Sequence, residues 1–117
     1  MEGPLQLQQV QDGLATRRLG TKLYYFAEID STNACARRLA ERGANEGGVI
    51  IAEAQTRGRG RLGRSWVSPP FVNLYVSVIL RPQLPPVHAP QLTLMAAVAL
   101  ADTIASFIGA PPTIKWP

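Results

Sequence analysis

The order of apolar runs predicts an α+β domain, a mixed sheet with flanking helices. Three observations point there. Strand-like and helix-like runs are interspersed along the chain. Two strand-like runs stand in tandem on either side of a Gly- and Arg-rich segment. Their boundaries carry capping residues, glycines or prolines.

Taken in order, Leu5 to Leu19 is weakly helical, with Leu7, Val10 and Leu14 at helix-like spacing and Gly13 interrupting them. Lys22 to Ile29, KLYYFAEI, is rich in aromatic and β-forming residues and reads as a strand. Asp30-Ser31-Thr32 supplies candidate N-caps for a helix from Thr32 to Arg42. Ala36, Leu39 and Ala40 form its inner face and Gly43 its stop. Gly48 to Gln55, GVIIAEAQ, reads as a buried strand, and Thr56 to Ser65 as a loop. Pro69-Pro70 blocks a helix directly after that loop. Asn73 to Leu80, NLYVSVIL, is the next strand. Pro82, Pro85, Pro86 and Pro90 stiffen a connection into an apolar helix from Gln91 to Ile108, ended by Gly109 and Pro111-Pro112. Met95 and the alanines around it read as core. Thr113 to Trp116 begins a further strand, and Pro117 follows at once, so the sheet is expected to be truncated there.

Composition narrows the function classes. Hydrophobic residues are 46% of the 117 and charged ones 17%, which is too apolar for a disordered chain. No uninterrupted apolar run approaches the roughly 18–20 residues of a membrane span. The Gln-rich start after Met1-Glu2-Gly3-Pro4 has no signal-peptide pattern, so a cytoplasmic protein is expected. Cys35 is the only cysteine, which excludes a disulfide framework and a cysteine-based zinc site. His88, the one histidine, sits in the Pro-rich connection without companions, and no metal-ligand set is expected. The net charge of +4 is local. Without Arg57, Arg59, Arg61 and Arg64, eight basic residues face eight acidic ones. A cationic loop on a balanced chain implies a discrete anionic partner.

That loop reads Gly58-Arg59-Gly60-Arg61-Leu62-Gly63-Arg64-Ser65-Trp66. Gly58, Gly60 and Gly63 satisfy the dinucleotide fingerprint, and Gly58, Gly63, Arg64 and Ser65 come close to a P-loop. Both motifs need a helix immediately afterwards to hold phosphates on its N-terminus. The proline pair forbids that helix, so both are rejected. What remains is physical: glycines let the backbone approach a ligand, and arginines offer planar, permanently charged forks to carboxylate or phosphate oxygens. Four like charges repel when the loop is empty, and an anion relieves that repulsion. A nucleic-acid backbone is a competing partner, but the run occurs once, lacks interleaved aromatics and adjoins no basic stripe.

Three separated motifs then fall into one pattern. Asp30-Ser31-Thr32-Asn33 opens a helix, Gln55 precedes the Arg-Gly loop, and Lys115-Trp116-Pro117 closes the chain, with Asn73-Leu74-Tyr75 between. From about Lys22 to Pro117 their order and spacing resemble the biotin–protein ligases, the biotin-[acetyl-CoA-carboxylase] ligases. The loop is the specific part. The resemblance implies an α+β catalytic domain related to class II aminoacyl-tRNA synthetases. It also implies an activity: condensation of biotin with ATP, magnesium being present, to biotinyl-5′-AMP, then transfer to a lysine of a biotin carboxyl carrier protein.

By the same resemblance, Ser31, Thr32 and Asn33 close the biotin pocket near the ureido group, with Gln55 bonding the same ring. Gly58, Arg59, Gly60 and Arg61 cover the biotin carboxylate and then the adenylate phosphate. Arg64 supports phosphate binding, Trp66 shapes the pocket wall, and Lys115 lies against the carboxylate and α-phosphate. Arg59, Arg61 and Lys115 are thus the expected catalytic groups. Plainer readings stand beside these: Ser31 or Thr32 as a helix cap, Gln55 as a strand-end residue, Trp66 and Trp116 as core aromatics, Cys35 as a small buried residue.

The family pattern continues beyond Lys-Trp-Pro, so residues 22–117 correspond to the N-terminal half of its catalytic domain, and residues 1–21 to a helical lead-in. That lead-in is too short for a winged helix-turn-helix, so no DNA partner is expected, nor a membrane one, while a homodimer is compatible with the pattern. The 117 residues alone are expected to be inactive or nearly so. Lipoate–protein ligases and octanoyltransferases share the fold but usually lack this loop.

Overall fold

Strand β2, Gly48–Arg59, is the spine on which everything else is hung. On one edge it pairs in parallel with β1, Lys22–Ile29, from Lys22 opposite Gly48 to Ile29 opposite Gln55. On the other edge two short strands follow each other, both antiparallel: β4, Tyr75–Val78, against Val49 to Ala52, and β3, Ser65–Ser68, against Gln55 to Arg59. The sheet is therefore mixed, as the sequence predicts. The structure is a computed structural model that describes residues 3–115, and the chain forms two units, Met1–Arg81 and Pro82–Pro117.

In the first unit, helix α2, Thr32–Glu41, crosses from β1 to β2 and covers one face of the sheet. Cys35 and Ala36 pack on Ile50 and Ile79, with Tyr24, Phe26, Leu39 and Ala40 around them. The helix stops where glycine predicts. Gly43 has φ 90°, its N–H bonds the Ala40 carbonyl, and the next N–H, of Ala44, reaches back to Leu39. Arg81 reinforces that end, its guanidinium donating to the carbonyls of Ala40 at 2.8 Å and Ala44 at 2.6 Å. On the opposite face Tyr25 and Glu53 meet the segment that leads into α1, Leu7–Gly13.

Several boundaries differ from the sequence reading. α1 is shorter than Leu5 to Leu19, because Gly13 ends it and no residue in it is buried to reward extension. β4 loses both ends of the expected Asn73 to Leu80. The largest change is in the Arg-Gly segment, expected to be loop throughout. β2 continues through it to Arg59, with a bulge between Gln55 and Gly58, turns through a single 3₁₀ turn at Arg61–Gly63, and returns as β3. Glycine lowers strand propensity, but backbone pairing to β3 overrides it.

The second unit contains a 3₁₀ turn, Pro86–His88, and helix α3, Pro90–Ile108, with proline at its first position and Gly109 at φ 73° as its cap. Two expectations fail here. No residue of α3 is buried, and Met95 is 57% exposed, so this helix is not a core element of its own unit. An 18-residue stretch within Pro86–Ile108 has a mean hydropathy of 1.6, so by length and composition alone this helix is apolar enough to cross a membrane. Gln91, Thr93, Asp102, Thr103 and Ser106 interrupt it, so no uninterrupted apolar run of that length is present. Residues 111–115 form no strand, contrary to the reading of Thr113 to Trp116, and Trp116 and Pro117 lie outside the described residues.

Candidate active site

The Asp30-Ser31-Thr32-Asn33 turn is built from its own side chains. Ser31 has extended backbone and its Oγ accepts the Ala34 N–H at 3.3 Å, so it caps α2. Asp30 accepts the Ser31 N–H at 2.8 Å and takes a two-pronged pair from Arg38 at 3.0 and 3.1 Å. The Arg38 guanidinium, with help from that N–H, holds the Asp30 carboxyl below the usual carboxylate range. Ser31 and Thr32 are each only 5% exposed, while Asn33 stands at the surface. Ser31 is thus a helix cap that also lines a cavity.

A chain of polar contacts ties this turn to three strands. The Thr32 N–H donates to Gln55 Oε1 at 2.8 Å, and Gln55 Nε2 donates to Ser68 Oγ at 3.2 Å. The Thr32 hydroxyl lies 2.9 Å from the Ser77 hydroxyl. Gln55 is therefore not a strand-end residue in solvent; both ends of its amide are oriented by protein. Each partner keeps capacity, since a hydroxyl or an amide oxygen accepts more than one bond. The result is a half-buried cluster of uncharged polar groups that can bond a neutral ligand carrying both N–H and C=O groups, with Arg37 and Arg59 lining the same cavity.

The Arg-Gly hairpin forms the other end. Gly60 N–H bonds the Arg64 carbonyl at 2.7 Å across its base. Leu62 holds a left-handed conformation, φ 58°, at the tip. The glycines at 58 and 60 are there for space. A Cβ on Gly58 would lie 2.6 Å from Ser68 Oγ and 2.8 Å from the Trp66 carbonyl oxygen. One on Gly60 would lie 2.7 Å from Trp66 Nε1. The Trp66 indole thus rests against a bare backbone and remains 66% exposed, a wall of the hairpin and not a core aromatic. Among the described residues the only ion pairs are Arg18 with Glu46 and Arg38 with Asp30, which leaves Arg57, Arg59, Arg61 and Arg64 unneutralised.

Two adjoining cavities join these ends. One, of about 380 Å³, is lined by Ser31, Thr32, Asn33, Gln55, Arg59 and the β4 strand. The other, of about 750 Å³, is lined by Asn33, Arg59, Gly60, Arg61, Arg64 and Trp66. Asn33 and Arg59 line both, so the two cavities share a border between the Thr32–Gln55 network and the arginines. Gly58 is buried beneath the hairpin. Of the expected residues of the first unit, Ser31, Thr32, Asn33, Gln55, Arg59, Gly60, Arg61, Arg64 and Trp66 line one or both cavities, and Gly58 lines neither. Lys115 belongs to the second unit, where it is exposed in an irregular segment.

Sequence reasoning missed Ser77, Tyr75, Ser68 and Arg37. The signal for the first two was present: Tyr75 and Ser77 alternate with Val76 and Val78, and a serine inside NLYVSVIL is out of place unless it faces something polar. Arg37 lies one turn beyond Asn33 on α2 and lines the smaller cavity. Cys35 is buried, and burial pushes its thiol pKa up, so it stays protonated and unreactive. Among the described residues no three His, Cys, Asp or Glu side chains gather as a metal site.

Comparison with known proteins identifies the family and the fold. The profile of the Biotin/lipoate A/B protein ligase family matches residues 25–117. The bifunctional ligase/repressor BirA of Bacillus spizizenii is 42% identical over 115 residues, covering 98% of this chain and 35% of that protein. The biotin--[acetyl-CoA-carboxylase] ligase of Mycobacterium tuberculosis is 38% identical over 120 residues, covering 97% and 45% respectively. Among solved structures, the biotin protein ligase from Aquifex aeolicus in complex with biotin and ATP superposes with a TM-score of 0.69 at 34% identity, over 83% of this chain and 40% of that one. The chain spans less than half the length of each of these relatives. With a matching profile over most of its length and a shared fold, the chain belongs to the biotin protein ligase family and covers part of its catalytic domain.

Proposed function

We propose that the first unit binds biotin and its adenylate for an ATP-dependent ligase that biotinylates a lysine of a biotin carboxyl carrier protein. The observation that carries this reading is the gradient along the cavity, from the Thr32, Gln55, Ser68 and Ser77 network to the unneutralised arginines. A cyclic urea is neutral and carries N–H donors and a carbonyl acceptor, which suits the first end. A carboxylate suits the second.

The chemistry follows from that orientation. A biotin carboxylate oxygen attacks the α-phosphorus of ATP, the bond to the β-phosphate oxygen breaks, and pyrophosphate leaves with its electron pair. Carboxylate and polyphosphate repel each other. Arg59 and Arg61, with Lys115 in the role the resemblance gives it, offset that repulsion and stabilise the charge on the departing group. Arg64 supports the phosphates, which would themselves carry magnesium into the site. No protein nucleophile is needed. In the second step an uncharged lysine amine of the carrier attacks the acyl carbon, AMP leaves, and the amine loses a proton. Trp66 and the hairpin, closing over the mixed anhydride, exclude water that would hydrolyse it.

Isothermal titration of the purified chain with biotin and with lipoate tests the reading. Saturable biotin binding that lipoate does not compete for is expected; equal binding of lipoate, or none of biotin, would overturn it. Adenylation is expected when residues 1–117 are joined to the rest of a family catalytic domain such as that of the relatives they match. Substantial biotinyl-5′-AMP formation by these 117 residues alone would show that the arginine hairpin and Lys115 suffice.

A further inference from the structure

Glu53 is a carboxylate at 4% exposure on the face of the sheet away from α2. Burying it is costly unless its oxygens are bonded. One oxygen accepts two bonds, from the Tyr25 hydroxyl at 2.9 Å and from the Leu5 N–H at 2.7 Å. The second donor is informative, because it comes from a segment 48 residues away with no regular structure of its own. An apolar residue at position 53 would fill the same space but would not care where that N–H lies. The carboxylate does.

What that segment touches connects it to the ligand cavity. A recess of about 330 Å³ behind the sheet is lined by Gly3, Leu5, Glu53, Phe71, Asn73 and Leu74. Leu74 also lines the ligand cavity on the other side. The turn that carries it is under local constraint: Phe71 sits at φ 68°, a strained value for a bulky residue, and the Tyr75 hydroxyl donates to the Pro69 carbonyl at 2.9 Å. Tyr75 lines the ligand cavity as well. Segment 3–5 and residues 71–74 therefore border the same recess, and segment 3–5 is held there by Glu53.

We propose that Glu53 is a positioning residue for the ligand cavity: by holding Tyr25 and the Leu5 N–H, it fixes segment 3–5 behind residues 71–74 and so sets the wall that Leu74 and Tyr75 present to the ligand. The identity of that ligand rests on the biotin reading; the clamp itself does not.

Leu5→Pro removes the one N–H and Tyr25→Phe the one hydroxyl, while Leu5→Ala keeps the N–H and serves as control. Hydrogen–deuterium exchange and biotin titration are measured in parallel on the whole chain. Leu5→Pro and Tyr25→Phe are each expected to speed amide exchange across residues 71–77 and to weaken biotin binding, both by about tenfold, the effect of losing one charge-assisted hydrogen bond. Ile50 to Ala52 should keep their protection, and Leu5→Ala should change neither readout. Unchanged exchange at 71–77, or equal loosening of Ile50 to Ala52, overturns the proposal. Tyr25→Phe removes a single oxygen and leaves the packing in place, so the test survives if Leu5→Pro fails to fold. If the wild-type chain binds no biotin, the ligand reading fails while the exchange result still decides the clamp.

Discussion

The Thr32 and Ser77 hydroxyls lie 2.9 Å apart across 45 residues of sequence, and that contact joins the start of α2 to the edge strand β4. Both are uncharged hydroxyls, so the pair offers a neutral hydrogen-bonding surface within the smaller cavity. Thr32→Val, which keeps the shape and removes the hydroxyl, and Ser77→Ala are each expected to weaken biotin binding about tenfold and to lower stability by about 1 kcal/mol. The double variant should lose less than the sum, because the second change removes a partner already gone. Titration calorimetry of the four proteins checks this.

Gly58 is hemmed in by Ser68 Oγ and the Trp66 carbonyl. Gly58→Ala is expected to destabilise the chain by about 1–3 kcal/mol, since neither neighbour can move without opening the hairpin. Gly60→Ala meets the Trp66 ring most closely, with Arg64 Cβ at 3.3 Å. Its expected effect is a shift of tryptophan emission with a smaller loss of stability. Thermal melts followed by fluorescence separate the two.

The hairpin arginines act by charge. Replacing Arg59, Arg61 or Arg64 with Gln is expected to weaken pyrophosphate binding about five- to tenfold each, and to flatten its dependence on salt. Biotin methyl ester, which lacks the carboxylate, should be indifferent to the same changes. Binding measured at low and high salt gives the answer.

Arg38 holds the Asp30 carboxyl below its ordinary range. A depressed folded-state value means the pair adds stability above the unfolded carboxylate pKa, about 3.9, and loses it as pH falls through the lower folded value. Both side chains are more than a third exposed, so water screens the pair and the effect is small. Asp30→Asn should lower the melting temperature at neutral pH, and the gap from wild type should close in acid. A gap that persists there would assign the loss to the Ser31 N–H bond instead.

The sequence made the site's chemistry legible, because chemistry is carried by residue type and spacing. Ser31, Thr32, Asn33, Gln55 and the four arginines could be singled out without a structure, and so could β1, α2 and α3, whose periodicity and caps are local signals. The hairpin was not legible. Gly and Arg in alternation disfavour a strand locally, and only the pairing of Arg59 with Ser65 and Gly58 with Trp66 makes one. Ser77 stood out by its alternation with Val76 and Val78, but its partner did not, because only the β2–β4 register places it beside Thr32. The same limit applies to α3: its apolar run looks like core in one dimension, yet burial depends on what packs against it, which no periodicity encodes. By itself the sequence determined which groups are present and where the chain bends. The tertiary structure alone decided which of them face one another, because strand register and sheet order are set by contacts between residues far apart in the chain.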